Sequence, residues 1–337
     1  MKQIDETKEE KKIKFDEAKF KIRIAIDNMY DIQALRIATG NRVCAAFRMS
    51  KRMQDETNEE TVVQEEVDKK DQEKEDLNIL ATLTDEYTRI TDAYAELAKN
   101  SRKALENVID TTNATLIKNS FDYDMAKQYF LLLDQEKLAI KAVDTCVKEH
   151  PVWDRFFKDV KGCGPAISGM CIGYLDIHEA RHVSAFWSYC GVGTRVNDKG
   201  ERVAMSRKAL TTRTYTDKSG KEVTCQSLGY NEKLHTKLLG VFGDQIVKRT
   251  GTKYRQCYDD YKNRYQNRPD WRKKDGSIDK IRCHRAAIRQ AVKAFLRDLW
   301  VEWRSYEGYE ITSPYEVEYL KMAPHLYNEA QIRKATV

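Results

Sequence analysis

The chain has 337 residues, with 59 Lys+Arg against 53 Asp+Glu, a net charge of +6 and eight cysteines. That length allows two domains, or one globular domain plus a long helical element. No apolar run approaches a membrane span, no CxxC pair occurs, and the charged start at Met1-Lys2-Gln3-Ile4 is not a signal peptide, so a soluble cytoplasmic protein with reduced thiols is expected. The net charge conceals two unlike halves: residues 1–150 hold 25 cations against 31 carboxylates, and residues 151–337 hold 34 against 22.

Residues 1–150 contain no proline and a single glycine, Gly40, a composition that favours uninterrupted helices. Residues 1–12 read as a disordered tail. An apolar stripe of Ile22, Ile26, Met29, Ile32, Leu35, Ile37, Val43 and Phe47 predicts a helix over 15–52. The segment 53–76, nearly all charged or polar from Asp55 onward, reads as a mobile connector. Leu80, Leu83, Tyr87, Ile90, Tyr94 and Leu97 predict a second helix over 77–108, and Tyr129, Phe130, Leu132, Leu133, Leu138, Ile140 and Val143 a third over 123–148. Such helices suit either a hairpin or intermolecular coiled coil, making 13–150 a dimerisation region, or an intramolecular three-helix bundle. Their carboxylates are scattered over helix surfaces with no β-rich segment to hold a two-metal nuclease site.

The basic half divides into a domain over 151–310 and a tail over 311–337. Its first feature is a turn, Lys161-Gly162-Cys163-Gly164-Pro165-Ala166, opening onto an apolar helix in the manner of a helix-hairpin-helix phosphate grip. Glycines let the backbone approach a ligand, and the first N–H groups of the next helix lack internal partners. A tight interhelical turn would have the same sequence. His178 and His182 stand four apart but have no third ligand at helical spacing, so no metal or other cofactor is expected. Turn sequences at Asn197–Gly200 and Asp217–Gly220, with alternation across the second, predict a β-hairpin insertion bearing Arg202, Arg207, Lys208, Arg213 and Lys221.

From Arg195 to Arg304 there are 27 basic and 13 acidic side chains, a balance suited to a polyanion. Tyr254, Tyr258, Tyr261 and Tyr265 recur at helical steps among cations, a pattern that fits base stacking or a buried stripe, with core expected for at least two of them. The loop with Arg268, Trp271, Arg272, Lys273 and Lys274 is the better exposed candidate. A last helix over 281–304 places Ile288, Val292, Phe295 and Leu299 on its apolar face and Arg285, Arg289, Lys293 and Arg297 in a ladder beside it. Four cations at four-residue steps repel one another in water and are more comfortable against phosphates.

Taken in order, Val160-Lys161-Gly162-Cys163-Gly164-Pro165-Ala166, Leu175-Asp176-Ile177, Phe186-Trp187-Ser188-Tyr189-Cys190-Gly191-Val192 and the basic helix around His284-Arg285 resemble the C-terminal domain of the Piv-type, or one-ten, insertion-sequence transposases, which work with a bridge RNA. The resemblance covers roughly 156–304. Members carry an N-terminal RuvC-like domain with a DEDD metal site, which has no counterpart here, and a nucleophilic serine in a Ser-Gly dipeptide where this chain has Lys199-Gly200. No motif places Ser184, Ser188 or Ser206 at that position. The layout of helical half and basic half is similar to the Tas proteins of tandem-interspaced guide RNA systems and to the Nop proteins that hold guide RNAs. The resemblance implies a mainly α protein from a bacterial or phage-infected cell: a noncatalytic homodimer that presents a guide RNA to a DNA target and relies on a separate nuclease. A divergent transposase, or a coiled-coil scaffold binding acidic protein, are the alternatives.

Overall fold

The computed structural model describes residues 2–56, 69–97, 101–196, 202–205, 210–217, 219–273 and 275–312. It is mainly helical. Among the described residues no helix is long and apolar enough to cross a membrane. Helices α1 (Lys2–Glu56), α2 (Lys69–Ala95), α3 (Arg102–Thr111) and α4 (Ser120–Lys148) make up the first half. The second half has α5 (Pro151–Arg155), α6 (Pro165–Tyr174), α7 (Val183–Tyr189), two hairpins of β1 (Thr194–Val196) with β2 (Arg202–Ala204) and β3 (Leu210–Thr216) with β4 (Glu222–Leu228), then α8 (Glu232–Thr236), α9 (Gly243–Lys248), α10 (Lys253–Gln266) and α11 (Lys280–Glu307). The chain divides into two compact units, Met1–Ile26 with Val143–Val337, and Asp27–Ala142.

Several expected boundaries move. Helix α1 begins at Lys2, inside the stretch read as a disordered tail, and extends to Glu56, while α2 starts at Lys69, so helix takes up both ends of the expected connector and 57–68 lie outside the described residues. Lys- and Glu-rich sequence is good helix former even where it has nothing apolar to bury. The expected helix over 77–108 is two helices. Ser101 takes the extended conformation of an N-cap, and its hydroxyl accepts from the Ala104 N–H at 3.2 Å, which starts α3 afresh. Asn119 does the same for α4, accepting from Phe121 and Asp122, three residues ahead of the expected start.

In the Asp27–Ala142 unit, segments of all four helices share one core: Val43 and Phe47 from α1, Leu83 and Ile90 from α2, Leu105, Val108 and Ile109 from α3, and Tyr123, Ala126 and Tyr129 from α4. Gly40 lies in mid-helix because Tyr129 needs its space; a Cβ there would stand 3.0 Å from the ring. Two polar clamps join elements across this core. Glu136 of α4 accepts from Arg36 and, at 2.8 Å, from Gln33 of α1. Glu86 of α2 accepts the backbone N–H groups of Thr115, Leu116 and Ile117 and the Thr115 hydroxyl, at 2.6 to 3.0 Å for the shortest bond to each.

The other unit is built around α11, whose residues 291–300 are all buried. The first turns of α1 belong here, not with the acidic half. Gly169 and Gly173, four apart on α6, allow close approach: a Cβ at Gly169 would meet the Ile26 side chain at 2.8 Å, and one at Gly173 would lie 3.2 Å from the Arg23 backbone. Lys19 pairs with Asp176 at 2.7 Å, and the Arg23 guanidinium covers Tyr174. The single expected hairpin is two, with Thr194 opposite Ala204 and Leu210 opposite Leu228. In the second, the Asp217 carboxylate accepts from Ser219 and Lys221 while Gly220 takes φ +83°.

His150 closes α4 against α5. Its Nδ1 accepts from the Val152 N–H at 3.3 Å, its ring meets Trp303 edge-on, and it is 3% exposed. Burial pushes the imidazole down to about 4 from an ordinary 6.5. As pH falls below 6.5 the unfolded chain takes up a proton that the folded chain refuses until about pH 4, so stability is full above that window and declines through it. The loss should reach about 3 kcal/mol. His150→Asn keeps an N-cap acceptor and does not titrate there, so urea midpoints at pH 7 and pH 4.5 should differ less for it than for the wild type. Equal differences in the two proteins would refute the assignment.

Candidate nucleic-acid interface

The glycine turn has the expected backbone. Gly162 takes φ +93°, Gly164 is the extended N-cap of α6, and Pro165 occupies its first position. Gly162 is also packed, since a Cβ there would lie 2.9 Å from the Arg249 side chain, whereas nothing stands within 4 Å of one at Gly164. Beside the turn is a cleft of about 340 Å³ lined by Arg155, Lys161 and Lys253 and equally by Asp159, Asp298 and Glu302. Three cations face three carboxylates, so the cleft has none of the positive excess that a phosphate grip needs. His178 and His182, at the far end of α6, contact Tyr309 and Thr312 through Nδ1, at 2.7 and 3.0 Å.

Beyond Arg285, the basic ladder on α11 turns into the fold. Arg285 is exposed, but Arg289 donates to the Gly191 carbonyl at 3.0 Å, and burial pushes its guanidinium below its ordinary value. Lys293 is 9% exposed, with its ammonium 4.1 Å from the centre of the Trp187 ring. Arg297 is 3% exposed and hydrogen-bonds the Asp298 carboxylate. From residue 291 to 300 the helix is wrapped on every side, so Arg289, Lys293 and Arg297 serve carbonyls, an indole face and a carboxylate within the fold. Three of the four ladder positions are thus structural.

The hairpin candidates are less fully described. Arg202 and Arg213 fall in β2 and β3, Lys221 is exposed beside the second turn, and Arg207, Lys208 and Lys274 lie outside the described residues.

The strongest cationic cluster lies where α10 passes into α11. Residues 264–285 hold eight Lys+Arg against three Asp. Each carboxylate is engaged locally: Asp270 takes a two-pronged bond from Arg268, Asp275 holds the Ser277 N–H and hydroxyl, and Asp279 caps α11 by accepting from the Arg282 N–H. Arg264, Arg268, Arg272, Lys273, Lys280, Arg282 and Arg285 are exposed around them. The Trp271 indole lies flat on Tyr265, with ring centres 4.4 Å apart and planes 8° from parallel. Gln290 fixes Tyr265 by donating to its hydroxyl at 3.0 Å. Over the same indole stand Arg282 at 4.5 Å and Arg268 at 5.4 Å. The result is a preordered pile of phenol, indole and guanidinium among exposed cations.

Of the four tyrosines on α10, Tyr254, Tyr258 and Tyr265 are buried and Tyr261 half-buried, so core accounts for more of them than open base stacking. Arg282 is the functional candidate that spacing alone did not single out. One signal was present: Lys280, Arg282 and Arg285 fall in the first two turns of a helix, where the macrodipole disfavours cations and an external anion would relieve them.

No family model matches the chain, and neither curated proteins nor solved structures give a significant match to it.

Proposed function

We propose that this is a nucleic-acid-binding protein that holds a single strand at the α10–α11 tip. The observation that carries the reading is the Tyr265–Trp271–Arg282 pile set among exposed cations. Aromatic and guanidinium planes accept unstacked bases of any sequence, while neighbouring lysines and arginines neutralise the backbone. At the start of α11 the capping Asp279 stands against three cations, Lys280, Arg282 and Arg285, and that imbalance favours a ligand that brings phosphates. The resemblance to guide-RNA proteins makes RNA the strand to try first, with a DNA target as the second ligand. Binding, not catalysis, is the proposed role, because the cluster offers cations and rings and no activated nucleophile.

Fluorescence anisotropy with a labelled single-stranded RNA tests the site. Trp271→Ala, which leaves the charge unchanged, should weaken binding about tenfold or more, and Trp271→Phe should recover much of it. Lys161→Gln, in the charge-balanced cleft, should change little. Binding indifferent to Trp271→Ala, or lost through Lys161→Gln, would move the site away from the tip.

A further inference from the structure

A cavity of about 400 Å³ lies within the Asp27–Ala142 unit. Small-ligand sites run from about 300 to 1,000 Å³. Three elements wall it. Helix α1 supplies Phe47, and α2 supplies Glu75, Ile79 and Thr82, which steps of four and three residues set on one helix face. The third wall is the chain between α3 and α4, with Leu116 and Lys118. Glu86 holds that wall from within the unit by accepting the Leu116 and Ile117 N–H groups, and the Lys118 N–H donates to the Asp122 carboxylate at 3.1 Å. The wall is therefore fixed before any ligand arrives.

Phe47, Ile79 and Leu116 give the cavity an apolar floor, and the last two pack against the core while only partly covered by it. Its charges are one carboxylate, the half-buried Glu75, and one ammonium, the exposed Lys118. Among the described residues neither has an ion-pair partner. A ligand that covers both must bring the opposite charge to each, or leave a desolvated ion without compensation. A phosphate or a simple fatty acid would meet Lys118 but face Glu75 as a like charge. A polyamine would meet Glu75 and face Lys118 in the same way. A sugar would waste the apolar floor. One positive group, one negative group and an apolar body satisfy all three features together.

We infer that this cavity binds a small zwitterion with an apolar side chain, an amino acid of the phenylalanine or leucine class, with its ammonium on Glu75, its carboxylate on Lys118 and its side chain over Phe47, Ile79 and Leu116. The site belongs to a different unit from the α10–α11 tip, so the inference does not rest on the ligand held there.

Isothermal titration of the full chain with L-phenylalanine and L-leucine tests it, alongside two probes that each lack one charge, 2-phenylethylamine and 3-phenylpropionate. L-Phenylalanine should bind saturably, and each truncated probe at least about tenfold more weakly, because each leaves one charge of the cavity unmatched. In Glu75→Gln the advantage of L-phenylalanine over 3-phenylpropionate should vanish, and in Lys118→Gln its advantage over 2-phenylethylamine should vanish. A merely structural role for either residue would move neither ratio. Thr82→Trp fills the cavity from an exposed helix position without changing charge, and should abolish binding while far-UV circular dichroism stays as in the wild type. No saturable binding of either amino acid, truncated probes that bind as well as L-phenylalanine, or probe ratios unchanged in the two charge variants would each overturn the inference.

Discussion

Asp298→Asn should lower the stability of the unit built around α11 by about 4 kcal/mol, because removing one partner of a buried ionic network leaves the others without their countercharge. The Asp298 carboxylate is the centre of that network. It accepts from the Arg297 guanidinium at 2.8 Å, from the Tyr254 hydroxyl at 3.1 Å, and from the Lys253 ammonium at 2.7 Å. Arg297 is 3% exposed and Asp298 9%. Burial, with Asp298 beside it, pushes the Tyr254 phenol well above its ordinary value, so the hydroxyl stays a donor throughout the accessible pH range. An amide keeps the shape of the carboxylate but removes the charge. Pairing Asp298→Asn with Arg297→Met should recover part of the loss, since it removes the buried guanidinium that the single change leaves without a countercharge. Urea unfolding of the wild type and of these two variants measures both effects. A loss under about 1 kcal/mol for Asp298→Asn would show that the network contributes no more than a surface ion pair.

Glu86→Gln should be nearly as severe, at about 3 kcal/mol, and for a different reason. The carboxylate, 2% exposed, is the acceptor for three consecutive backbone N–H groups, those of Thr115, Leu116 and Ile117, as the chain leaves α3 for α4. A glutamine presents an NH2 where one oxygen stood, so a buried N–H meets a donor instead of an acceptor. Burial works to raise the Glu86 pKa, but the bonds from Thr115, Ile117 and Leu116 outweigh it and the carboxyl titrates below its ordinary 4.5. The stabilisation is therefore present above the unfolded value and is lost as pH falls through the lower folded one. Amide exchange provides the local readout: Thr115, Leu116 and Ile117 should exchange much faster in the variant at pH 7, and unchanged protection would contradict the clamp.

The helices were the most legible part of the sequence. The stripe through Ile22, Ile26, Met29, Val43 and Phe47 is buried as its spacing requires, and no proline interrupts the first half. Leu35 and Ile37, taken for the same stripe, are exposed instead. A run rich in apolar residues does not by itself reveal that a helix has two faces. Breaks were harder to place than helices, because the Ser101 cap is a single side-chain bond inside continuous helical composition. The basic ladder was the largest misreading. Arg289, Lys293 and Arg297 have the same four-residue spacing whether they meet phosphates or fold-internal acceptors, and two of those acceptors, the Gly191 carbonyl and the Trp187 ring, are about a hundred residues away in sequence. The loop with Trp271 was legible as an exposed basic segment, but the stacking of Trp271 on Tyr265 and under Arg282 depends on how α10 and α11 meet.

Phosphates held at the α10–α11 tip should make single-stranded RNA binding strongly dependent on salt. For the wild type, log K should fall steeply with log salt. In the double variant Arg282→Gln and Arg285→Gln the slope should become shallower by about 1.4, since each phosphate contact to a single strand contributes about 0.7. A wild type that binds no RNA, or a double variant whose slope matches the wild type, would place phosphate binding elsewhere or nowhere on the protein.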